Sequence, residues 1–103
     1  MNVLAVGPAA RTERPASPVL HDHPHARIAG FHLLPGQQVP PHASDSTVIV
    51  HVVSGSGTFR GADGETRLAA GESVVYEPGE THSMAAGVEA LRFLAIITPR
   101  PGG

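Results

Sequence analysis

A chain of 103 residues amounts to about one domain, with interior enough for a single core and surface enough that a second copy would help to cover it. The absence of cysteine excludes disulfides, thiolate zinc sites and a thiol nucleophile, and leaves histidine, present seven times, as the leading transition-metal ligand. A formal net charge of -2, no lysine and a single tyrosine beside three phenylalanines offer nucleic acid neither a basic face nor a stacking surface.

The opening MNVLAVGPAA has a short apolar run without the basic start of a signal peptide or the length of a membrane span, so a cytoplasmic protein without a membrane partner is expected. Ala9 to Pro18 (AARTERPASP) is polar, proline-containing and aperiodic, and the first 18 residues are read as an extended arm preceding one domain over 19–103. His21, His23 and His25 (HDHPH) have the composition of a metal tract, but Pro24 and the arm-like context favour a polar surface.

From Val19 onward short apolar runs alternate with Gly and Pro signals: ARIAGFHLL, PG, TVIVHVV, SGSG, TFRG. That punctuation is β-rich. Asp63-Gly64 is a tight-turn dipeptide whose flanks, Thr58 to Arg60 and Thr66 to Leu68, should pair as a hairpin. Ala70-Gly71 marks the next turn. SVVYE (Ser73 to Glu77) and LRFLAIIT (Leu91 to Thr98) read as two more strands, with Pro78-Gly79 turning the chain ahead of His82. No window keeps a helical period, and the expected class is all-β, an antiparallel double-sheet sandwich, jelly roll or small barrel. Thr47 to Val53 is apolar on both alternating faces apart from His51, so it should be covered on both sides, by a second sheet or by a second subunit.

Two histidines stand in a recognisable frame. Gly36 is followed by five residues and His42, and Gly55 closes the segment. In GESVVYEPGETHSMAA, Gly71, Gly79 and His82 keep a second spacing. From about Arg27 to Pro101 the chain resembles the single-domain cupins, whose barrels are double-sheet jelly rolls. It departs from their metal motifs at four places: Ser44 stands for the second histidine, Val48 for the glutamate, Glu77 for a proline and Ala86 for an asparagine.

The resemblance implies a jelly-roll barrel whose pocket opens between His42 and His82 and is lined by Ser44, Val48, Val50, Phe59, Tyr76 and Phe93. The glycines of the frame then serve turns, not a phosphate cradle. A bound iron, manganese, nickel or zinc ion would need a third protein donor beside His42 and His82. His51 has the right chemistry but, on a regular strand, the wrong face, unless a bulge within Ala43 to Ser46 turns it inward. Asp45, Glu77 and Glu80 are read as solvated loop carboxylates. The function expected is binding of a small, partly apolar molecule, by a homodimer. The alternatives are a metal-dependent oxygenase, isomerase or lyase, and an accessory or regulatory module without a reaction.

Overall fold

The computed structural model describes residues 1–101. They form seven strands, β1 (Val19–His23), β2 (Ala26–Leu33), β3 (Gln38–His42), β4 (Thr47–Gly61), β5 (Gly64–Ala69), β6 (Ser73–Tyr76) and β7 (His82–Thr98), with no helix among the described residues. All pairings are antiparallel.

Two long strands make one chain into two layers. The first half of β4 lies between β6 and the second half of β7, and its second half lies between β5 and the first half of β7. β7 in turn pairs β3 with its first half and β2 with its second, and β1 lies outside β2. The layers are therefore β1-β2-β7-β4-β6 and β3-β7-β4-β5, an antiparallel double-sheet jelly roll.

The corner of β4 is the SGSG segment that the sequence suggests is a turn between two strands. It is a bend within one strand: the register against β7 shifts between Val52 and Ser54 and again between Gly55 and Gly57. Gly55 sits at φ 75°, and a Cβ there would lie 1.8 Å from the Ala90 carbonyl oxygen. Only glycine permits both the bend and that approach. The hairpin after β4 is also shifted by one residue from expectation. Gly61 pairs Gly64, so Ala62 and Asp63 are the turn residues.

Alternation places the core. Val48, Val50 and Val52 of β4 are at most 4% exposed, while Ile49, His51 and Val53 point outward. Phe93 of β7 is fully buried between Phe31, stacked at 4.7 Å, and Phe59, edge-on at 5.6 Å. Each such side chain contributes about 1.5–3 kcal/mol by burial, so this aromatic row is a large part of what holds the two layers together.

The polar strands lie at the edges. β3 carries Pro40 and Pro41, pairs only β7, and has a register shift between Val39 and His42; proline lacks the N–H a central strand would need. The arm lies along β2. Ala16 bridges His32, the Gly30 amide donates to the Pro18 carbonyl at 3.0 Å, and the His32 Nδ1–H donates to the Gly7 carbonyl at 2.9 Å. The Gln37 amide donates to the carbonyls of Ala10 and Thr12 at 2.8 and 2.6 Å.

Candidate functional site

β3 ends on His42 and β7 begins with His82, and the two residues face each other in register. A clasp fixes the loops behind them, the Gly79 amide donating to the Ser44 carbonyl at 2.7 Å. The ring centroids lie 4.2 Å apart at 60°. His42 is exposed and His82 only 3% so.

Each ring is held by the carbonyl two residues before it. His42 Nδ1 meets the Pro40 oxygen at 3.0 Å and His82 Nδ1 meets the Glu80 oxygen at 2.9 Å. A carbonyl can only accept, so in the neutral imidazole Nδ1 carries the proton and the lone pair is at Nε2. The site thus presents two adjacent nitrogen acceptors. Burial, above all, pushes the His82 pKa below its ordinary value; the His42 charge adds to this, while the bond to the Glu80 carbonyl and the Glu80 charge oppose it.

Tyr76, at the end of β6, stacks on His82 with centroids 4.3 Å apart and planes at 14°. It is 2% exposed, and its hydroxyl is buried without a hydrogen-bond partner among the described residues. Its pKa is pushed up to about 12, first by burial and then by the charges of Glu80 and Asp63, so it remains a neutral phenol.

The other expected site residues are placed elsewhere. Val48, Val50 and Phe93 belong to the core cluster and their surfaces are spent on packing, so the barrel interior is filled where a ligand was expected. Phe59 is also core but borders, with Tyr76, a lateral hollow of about 400 Å³. The Ser44 hydroxyl accepts the Ser46 amide at 3.1 Å. His51 does not join His42 and His82. It stays on the outer face opposite Val50 and Val52, where its Nδ1 meets the Ser73 hydroxyl at 2.8 Å. The register shift near His42 falls at Pro40 and Pro41 and does not turn His51 inward.

Glu80 is no solvated bystander. Its carboxylate accepts the amides of Glu77 and Ala62, each at 2.9 Å, and these bonds hold its pKa below the usual carboxylate range. The signal in the sequence is the Glu-Pro-Gly-Glu turn, whose last side chain can reach back to its first amide. His21, His23 and His25 lie close together on the surface, with ring centroids 6.1 and 5.4 Å apart, beside an Asp22 that pairs Arg100 at 2.6 Å.

A resident ion of the cupin kind does not fit these residues. The two Nε2 atoms are suitable donors, but Val48 replaces the carboxylate, both Glu80 oxygens are engaged by amides and His51 faces away. Among the described residues no three His, Asp or Glu side chains form a group that could hold a metal ion.

The cupin-domain family model matches residues 29–97, more than half of the chain, and the protein belongs to the cupin family. No curated protein sequence matches the chain. Among solved structures, it resembles a Thermus thermophilus protein at 21% identity and TM-score 0.90, covering 98% of this chain and 100% of that one. An uncharacterized Klebsiella pneumoniae protein with a double-stranded β-helix domain matches at 23% identity and TM-score 0.86, covering 100% and 94%. A predicted oxalate decarboxylase from Thermotoga maritima matches at 28% identity and TM-score 0.68, covering 74% and 68%.

Proposed function

We propose that this cupin binds a small, partly apolar molecule bearing a hydroxyl or other neutral hydrogen-bond donor, and that it does so at His42 and His82. The observation that carries this reading is the pair of adjacent imidazoles, each with Nδ1 committed to a carbonyl and Nε2 left as an acceptor. The filled core keeps the ligand at the exposed His42 end, with buried His82 behind it. An acceptor pair favours a donor-bearing ligand over its capped analogue, because the analogue leaves the nitrogens desolvated and unpaired.

A metal-dependent reaction is the competing reading: a carbonyl on Nδ1 is how metal-ligating histidines are oriented, but the reading lacks the third donor that the described residues do not bring to His42 and His82. Titrating the protein with benzyl alcohol and with its methyl ether separates the two. The alcohol should shift the His42 and His82 ring nitrogen resonances and the ether should not. Stoichiometric metal in protein purified without a histidine tag, lost in His42→Ala, would replace the binding reading by the metal-dependent one.

The same reading has the protein act as a homodimer. On the outer face of the first layer Ile28, Ile96, Ile49 and Val75 align in register across β2, β7, β4 and β6. Val53 and Val75 of that face are 42% and 52% exposed, and a second copy would cover the row.

A further inference from the structure

The arm is the part of the chain that the cupin fold leaves unexplained: the family match begins at residue 29, yet the arm is tied down at two places. At one anchor the Gln37 side-chain amide donates to the carbonyls of Ala10 and Thr12, while its oxygen accepts the Leu34 amide at 2.7 Å. At the other, Ala16 bridges His32, its carbonyl accepting the His32 amide at 3.0 Å. Between the anchors run Glu13, Arg14 and Pro15. This span crosses from the turn before β3 to β2, which belong to different layers, and all three of its residues line a hollow of about 650 Å³.

The lining of this hollow includes neither His42 nor His82. Its apolar surface comes from both layers, Phe31 of β2 and Val39 of β3. Both are only partly buried and pack against the core from its edge, Phe31 with its ring stacked on Phe93 at 4.7 Å, so part of an aromatic and part of an aliphatic side chain are left to the hollow. The roof adds two opposite charges. Glu13 and Arg14 enter none of the ion pairs among the described residues, and the Arg14 backbone is fixed by the Thr12 hydroxyl, which donates to its carbonyl at 2.7 Å.

Exposed charges alone would be a solvated surface. Here they roof an apolar hollow of ligand size, and an apolar lining with a few polar groups to fix orientation is the make-up of a small-molecule site. The same roof obstructs a helix or strand of another protein, which could reach Phe31 and Val39 only if the span from Thr12 to Ala16 were lifted off its anchors. We propose that this hollow binds a free amino acid with a large apolar side chain, as its zwitterion. Its ammonium group pairs with Glu13, its carboxylate with the Arg14 guanidinium, and its side chain lies over Phe31 and Val39. A singly charged ligand fits less well, because it satisfies one charge of the roof and lies beside the other, which has its own sign.

The intact, isotopically labelled protein, in low salt at neutral pH, is titrated with L-phenylalanine, glycine, phenylpropionate and phenylethylamine while the backbone amide resonances of Arg14, Phe31 and Val39 are followed. Saturable shifts with phenylalanine are expected, and none with glycine, which lacks the side chain. Glu13→Gln and Arg14→Gln should each weaken phenylalanine about fivefold, the weight of one charge at contact in a water-like dielectric. Glu13→Gln should not weaken phenylpropionate, which has no ammonium group, and Arg14→Gln should not weaken phenylethylamine, which has no carboxylate. Both residues are exposed, so thermal melting should be unchanged in either variant. His42→Ala should leave phenylalanine binding as it is, which separates this hollow from the site at His42 and His82. Shifts that are absent or never saturate, that glycine reproduces, that persist undiminished in the Glu13, Arg14 double variant, or that are lost in His42→Ala overturn the proposal.

Discussion

At the residue scale the molecule turns on how His82 is held. Its folded pKa lies below the ordinary histidine value of about 6.5, chiefly because it is buried. Between that ordinary value and the lower folded one, the unfolded chain binds a proton that the folded chain does not, so stability falls as pH falls through this window. The melting temperature should therefore drop as pH is lowered from about 7 to about 5. His82→Asn, which cannot titrate, should show a flatter profile over the same range, whatever its melting temperature at neutral pH. Equal slopes by circular dichroism would show that the His82 proton is not what is being read. The same protonation would turn the Nε2 acceptor into a donor, so a ligand that can only donate there should bind more weakly in the same direction, while an alcohol can turn its oxygen to accept.

At the element scale the turn before β7 matters more than its position suggests. Gly79 has φ 81°, and its amide closes the clasp onto the Ser44 carbonyl. Nothing lies within 4 Å of an added Cβ there, so the cost of Gly79→Val is one of backbone strain alone, about 1–3 kcal/mol. Gly79→Asn, which tolerates that conformation better, should recover much of it. A two-residue insertion between Ala62 and Asp63, at an exposed hairpin tip, should cost less than Gly79→Val in a urea melt. A larger loss from the insertion would mean that the β4–β5 tip, and not the clasp, is the sensitive turn.

The same elements show what sequence could convey. The histidine spacing points to His42 and His82 because it follows from turns at glycines with positive φ, and those turns do not depend on the metal ligands that this chain lacks. β4 was legible as two strands and not as one, since a glycine that bends a strand and a glycine that ends it look alike in sequence. β3 is not evident from sequence, because Pro40 and Pro41 discourage a strand assignment, yet an edge strand needs few of its amides. β7 is evident in sequence only from Leu91, although it starts at His82. Its first part, SMAAGVEA, has little intrinsic β preference and is a strand because β3 and β4 flank it. The resemblance leads one to expect Tyr76 in the pocket lining, whereas its unpaired hydroxyl depends on packing that no local pattern records.

At the scale of the whole molecule, the outer apolar row sets the expected assembly. Ile49→Glu puts a charge at its centre and should convert the proposed dimer to a monomer, read by light scattering at micromolar concentration, while leaving the far-ultraviolet spectrum intact. His51, on the same face and bonded to Ser73, should weaken the dimer when changed to alanine without affecting ligand binding at His42. A wild-type protein that scatters as a monomer would defeat the proposal.

The strand that joins the two layers most completely, β7, is also the last in chain order among the described residues. β2, β3 and β4 each wait for it, so until the ribosome has released the segment from His82 to Thr98 they have sheet edges with no partner. Nascent chains should consequently remain open until synthesis of that segment is finished, a stage at which unpaired edges are prone to wrong association. Contacts that close over such long stretches of chain also make folding slow. A chain ending at Thr81 should be unfolded or aggregated, and adding a peptide spanning residues 82–98 during refolding should restore β structure if β7 is the missing partner. A soluble, cooperatively melting 1–81 fragment would show that the first six strands can close without it.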